Sequence, residues 1–165
     1  MATLRSHARI QRSADDVWAV VARPERIREW FPGVVDATVA DGVRTITLRT
    51  GMPLVEDIVT VDNHLRRFQY RVTGPMPVKY HLATVDVIDD DPAGEQTSCL
   101  LVYSTEIEPE PMAFVFDGAI ADAVATLARM LDDGTLAPGE TPRPGDQTDP
   151  DGPRRTGPPD TSGPR

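Results

Sequence analysis

Apolar and polar residues alternate from residue 2 to 10, with Ala2, Leu4, Ala8 and Ile10 on one side and Thr3, Arg5, His7 and Arg9 on the other. A period of two predicts a strand. The pattern then changes. Ser13 is an N-cap candidate, and Asp15 and Asp16 follow where the helix dipole favours acids. Val17, Trp18, Val20 and Val21 supply an apolar face up to about Ala22. Pro24 suits the first position of a second short helix over 24–30, which Phe31-Pro32-Gly33 ends. Beyond it, six runs of strand character lie at 34–40, 43–50, 54–62, 67–73, 78–89 and 97–108. Asp41-Gly42 is a hairpin signal between the first two, and an acidic turn carrying Pro92 and Gly94 joins the last two. Short connections predict antiparallel pairing. Helical spacing returns at 111–133, where Val115, Phe116, Ile120, Val124, Leu127 and Leu131 form a stripe and Gly134 is a stop. The order is β-α-α-β-β-β-β-β-β-α, an α+β chain in which a long final helix covers a seven-stranded sheet.

Composition divides the chain in two. Residues 134–165 hold 8 of the 16 prolines and almost nothing apolar, so a disordered Pro/Gly/Asp-rich tail is expected there. Residues 1–133 make one domain and carry 13 Lys+Arg against 21 Asp+Glu. An acidic domain with short, interrupted basic clusters is not built to track phosphates, so no nucleic-acid partner is expected. No apolar run approaches the roughly 20 residues of a spanning helix, and the N-terminus lacks a signal-like apolar segment. The expectation is a cytoplasmic protein without integral membrane association. A lone Cys99 in an apolar run reads as a buried structural thiol. His7, His64 and His81 share no spacing that would make a metal site.

Several local motifs, taken in order, resemble the START-like or Bet v 1-like (SRPBCC) superfamily. They are Ser13-Ala14-Asp15-Asp16-Val17-Trp18, the end of the second helix at Trp30-Phe31-Pro32-Gly33, Gly51-Met52-Pro53, Glu56, Pro77-Val78-Lys79-Tyr80 and the closing helix. Within that superfamily the chain is most similar to the bacterial polyketide cyclase/dehydrase group, and more distantly to the plant abscisic-acid receptors. The resemblance covers roughly residues 3–133. It implies a helix-grip fold, with a curved sheet gripping the last helix around a ligand cavity. Met52 and Pro53 would lie in one loop at the cavity mouth and Met76 in another. The receptors' basic latch sequence is absent, so a hormone-receptor role is not carried over.

The closing helix has small residues, Gly118, Ala119, Ala121 and Ala123, in its middle. A stripe of Val115, Ala119, Ala123 and Leu127 facing the sheet would leave room for a ligand; close packing through alanine satisfies the same pattern. Glu56 and Asp57 point to opposite faces of their strand. The resemblance makes Glu56 the inward one, where it can anchor a hydroxyl or act as a general base; the plainer alternative is a surface acid paired with an arginine. Tyr80 matches a ligand-contacting tyrosine of the receptors, which puts His81 on the outer face. Val102 matches their ligand-contacting acid, so that anchor is missing. Alternation groups Leu101, Tyr103 and Ile107 on one face and Val102, Ser104 and Glu106 on the other, but both are partly apolar and the strand cannot be oriented. Trp30 suits core or cavity-rim packing. Arg44, Arg49 and Arg71 can pair a ligand carboxylate, although surface ion pairs are the commoner role for arginines flanked by acids.

The leading expectation is a cofactor-independent binding module for a small hydrophobic molecule, such as a lipid, a polyketide or an aromatic metabolite, held between sheet and helix. A cyclase or dehydratase acting in the same cavity, with Glu56 as its catalytic acid or base, is the second. An interaction module using the convex sheet face is the third, as monomer or homodimer.

Overall fold

In the computed structural model, residues 1–90, 94–95 and 97–139 are described. Strand β1 (Ala2–Ile10) leads to helix α1 (Ala14–Val21), whose cap is Ser13: its hydroxyl accepts from the Asp16 N–H. The segment expected as one second helix is split. Pro24–Arg26 forms a 3-10 turn, and only Ile27–Trp30 is α-helical (α2). Strands β2 (Val34–Ala40), β3 (Val43–Leu48), β4 (Pro53–Asp62), β5 (Arg67–Gly74), β6 (Tyr80–Asp89) and β7 (Cys99–Glu108) follow. Between β2 and β3, Asp41 and Gly42 both take positive φ (51° and 75°), which a two-residue primed turn requires. The turn expected around Pro92 lies mostly outside the described residues. A 3-10 turn at Glu110–Met112 then opens helix α3 (Ala113–Asp132).

The seven strands form one antiparallel sheet in the order β1-β7-β6-β5-β4-β3-β2. Register breaks in β2 (Val34/Asp36) and at two points of the β4–β5 pairing bend it. Such bulges increase local twist and let a sheet wrap. Period-two burial fixes the inner face: Arg44 and Ile46 on β3, Leu54 and Glu56 on β4, Phe68, Tyr70 and Val72 on β5. On β6 it carries His81, Ala83, Val85 and Val87, and on β7 Leu101, Tyr103, Thr105 and Ile107. Helix α3 packs chiefly along β1, with lesser contact to β7. Its C-terminal half is anchored by Ile120, Ala123, Val124, Leu127 and Leu131. Length and composition alone would let Glu110–Asp132 cross a membrane, but this anchored stripe belongs to the apolar core.

The chain stays attached to the domain after α3. Leu136 is buried, and Arg26 donates to the carbonyls of Ala137 and Pro138. The tail expected from 134 thus starts with residues docked on the domain; 140–165 lie outside the described residues.

Candidate ligand site on the inner face

Arg44 and Glu56 stand directly opposite each other in the β3–β4 register, so the strand pairing brings them together. Arg44 Nε donates to Glu56 Oε2 at 2.6 Å, and Arg44 Nη1 donates to the Pro24 carbonyl at 3.2 Å. Both side chains are almost fully buried, at 1% and 2% exposure. Burial pushes the Glu56 carboxyl above its ordinary range, and the adjacent guanidinium pulls it back only in part. Burial is the largest single effect on Arg44 and would lower it, but the charge and hydrogen bond of Glu56 together with the neighbouring tyrosines outweigh it, so the net shift is upward and the guanidinium stays protonated.

The guanidinium lies over the Tyr70 ring, 4.5 Å from its centroid, and 5.3 Å from that of Phe68. Cation–π attraction and the ion pair therefore fix it from two directions. The phenol oxygens of Tyr70 and Tyr103 share a hydrogen bond. Burial raises Tyr70 well above its ordinary value and pushes Tyr103 up to about 12, so both phenols are neutral hydrogen-bond donors near pH 7. These groups converge because β3, β4, β5 and β7 present the same face.

His81 sits farther along that face. Its Nδ1 accepts the Val72 N–H at 3.1 Å, so the proton of the neutral ring resides on Nε2, which is buried without a partner. Burial lowers its pKa to about 4. The ring packs between Tyr70 and Phe116, the latter from α3.

A cavity of about 10 Å³ opens beside this cluster, lined by side chains including Trp30, Arg44, Phe68, Tyr70 and Tyr103. It lies against the α1–α2 segment, whereas the expected space was under α3. Room on this scale suits about one water molecule. A larger groove, about 350 Å³, runs outside between β1 and α3 and touches neither Glu56 nor the tyrosines.

The structure redistributes the expected site residues. Glu56 faces inward, Trp30 lines the cavity, Ala123 is buried, and Met76 packs against the core. Tyr80 is 43% exposed and His81 buried, the reverse of the expectation. Both faces of β6 carry apolar residues, and tertiary pairing decided between them. Val102 is on the outer face, because Tyr103 takes the inner one. Val115 (61% exposed) and Ala119 point to solvent, so the small-residue stripe does not roof a cavity along its length. Met52 is exposed in its turn and Pro53 is exposed at the start of β4. Tyr70 and Tyr103 are site residues that the sequence reading does not mark, and Arg44, a candidate partner for a ligand carboxylate, is a buried cation and not a surface one. Its signal was alternation with Ile46, and that of Tyr70 alternation with Phe68 and Val72. Among the described residues, no three His, Cys, Asp or Glu side chains form a metal set.

A family model described as polyketide cyclase/dehydrase and lipid transport matches residues 1–134. The chain belongs to that family. No curated protein sequence matches it. Among solved structures, the protein XoxI from Bacillus cereus is 21% identical, with a TM-score of 0.74, and the match covers 82% of this chain and 99% of that one. A Thermobifida fusca protein is 27% identical (TM-score 0.66; 79% and 93% covered). Norcoclaurine synthase from Thalictrum flavum, solved with dopamine and hydroxybenzaldehyde, is 22% identical (TM-score 0.60; 79% and 86% covered). The family match places the chain in the START-like, Bet v 1-like superfamily. The solved structures share its helix-grip fold.

Proposed function

We propose that this member of the family binds a small, mainly apolar molecule on the inner face of the sheet, at the Arg44–Glu56–Tyr70–Tyr103 cluster. One observation carries the reading: four polar side chains are buried together beside a cavity, where apolar residues would close the core with less desolvation. Aromatic rings supply contact area and the phenols and guanidinium supply orientation, the usual division of labour in small-molecule sites. The cavity admits little more than one polar atom. Uptake of a whole ligand therefore requires outward movement of the α1–α2 segment, or of the exposed N-terminal half of α3 that carries Phe116 onto His81.

The second reading, a cyclase-type enzyme, draws support from the neutral phenol pair, which can donate to a carbonyl oxygen that gains charge during proton transfer. Under this reading Tyr103→Phe lowers turnover while leaving binding intact. Glu56 is engaged by Arg44, so its part is to hold the arginine rather than to act as a free base.

Native purification followed by mass spectrometry of co-purified small molecules tests the binding reading, together with a thermal-shift screen of lipids and aromatic metabolites. A ligand at a hundredfold excess over its Kd should stabilise the protein by about 2.7 kcal/mol. A protein that carries no ligand and that no compound class stabilises overturns the reading.

A further inference from the structure

The cavity beside Arg44 has an uneven hydrogen-bonding inventory. Arg44 Nη2 is buried with no partner, and so is Trp30 Nε1, on a side chain 7% exposed. Both residues line the same cavity. The Tyr70–Tyr103 pair, on the same wall, uses one of its two O–H hydrogens and leaves the other to donate. The remaining lining side chains are Val21, Arg23, Pro24, Ile27, Phe68 and Val85, none of which carries an acceptor. The two charged side chains on the lining are both arginines. A buried N–H without an acceptor forfeits its hydration, so a cavity walled by several of them favours a group that brings oxygens.

We infer that this cavity receives the carboxylate of an aromatic acid, with Arg44 Nη2 and Trp30 Nε1 as its donors. The inference rests on the binding reading above and specifies the ligand class. Two oxygens on one carbon can serve two unpartnered N–H groups on one cavity wall, and a guanidinium edge binds a carboxylate with charge-assisted hydrogen bonds. A space of about 10 Å³ holds about one water-sized group, so the carboxylate and its ring enter only with the outward movement that the binding reading already requires, the ring then packing against Phe68, Tyr70 and Ile27. Glu56 is a positioning residue: it holds Nε, the Pro24 carbonyl holds Nη1, and Nη2 remains to face the ligand.

The two tryptophans make the test internal. Trp18 Nε1 donates to Asn63 Oδ1 at 3.0 Å, whereas Trp30 Nε1 has no partner, so their indole N–H resonances in the ¹⁵N-labelled full chain serve as control and reporter. Benzoate, methyl benzoate and toluene are titrated in parallel. Benzoate should move the Trp30 indole resonance saturably, leave that of Trp18 in place, and bind about tenfold more tightly than its ester. In the Arg44→Met/Glu56→Met double variant, which replaces the ion pair by apolar side chains without orphaning either charge, that preference should fall to about twofold or less. Equal binding of acid and ester overturns the carboxylate assignment and leaves the binding reading standing; the orphan donors then serve an ordered water. A preference that survives the double variant overturns the role of Arg44. If benzoate binds nowhere, the assignment fails, and the mass-spectrometric search decides separately whether the binding reading fails with it.

Discussion

Beside β1 and β7, the C-terminal half of α3 closes the interior with Ile10, Leu101, Ile120, Leu127 and Leu131, all part of one apolar cluster. Beside the α1–α2 segment the same sheet face carries an arginine, a glutamate and two tyrosines, with two N–H groups left unpaired. The first region is what folding alone favours, because apolar burial is non-directional and close packing completes it. The second costs desolvation at each polar group and holds its geometry by mutual pairing. The contrast separates side chains that make the fold from those that give it a chemistry.

Breaking the ion pair should show the largest effect. Glu56→Leu leaves a buried guanidinium without its counter-charge and should cost roughly 3–5 kcal/mol in denaturant unfolding. The Arg44→Met/Glu56→Met double variant should recover most of that loss. If the single variant is as stable as the parent, the pair is solvated and the two regions do not differ in the way described. Leu127→Ala in the apolar region should cost about 3 kcal/mol through the cavity it leaves, with no change in ligand preference. Altered selectivity in that variant would show that the regions are coupled.

His81 gives a pH test of intermediate size. Its folded pKa of about 4 lies below the ordinary value of 6.5, so the unfolded chain binds the proton more readily. The neutral ring's contribution is therefore intact above pH 6.5 and is lost as pH falls towards 4. Between pH 7.5 and 5 unfolding free energy should drop by about 2 kcal/mol on this account. His81→Gln, which keeps an acceptor for the Val72 N–H, should remove that slope, and an unchanged slope would assign it to other groups. The smallest effect belongs to the exposed start of α3. Phe114 is 85% exposed, so Phe114→Ser should change stability by less than about 0.5 kcal/mol. A large loss in Tm would mean that this half of the helix is packed in solution.

Element order was readable because it depends on local rules. Alternation set the strands, the Ser13 hydroxyl capped α1, and Asp41-Gly42 supplied the positive-φ turn, each within a few residues of sequence. The inward glutamate came from resemblance. Its partner could not be read locally, because Arg44 and Glu56 are twelve residues apart and meet only through strand register. The faces of β6 and β7 were undetermined for a related reason: each strand has apolar residues on both sides, so period two gives the alternation and not its phase. The resemblance matches Tyr80 and Val102 to ligand-contacting positions, and the fold gives the inner places on these strands to His81 and Tyr103. In α3 the periodicity gave the helix, but the stripe through Val115 and Ala119 reaches beyond the part of the sheet that the helix covers.

The sequence by itself therefore determined which segments are strand or helix, their order, and the superfamily in which that order occurs. Tertiary structure decided which of two similar faces turns inward, which charges meet, and that the unpaired donors gather against the α1–α2 segment rather than under α3. The physical reason is range. Backbone preference and periodicity act over a few residues, whereas burial and ion pairing are settled only when strands distant in sequence lie side by side.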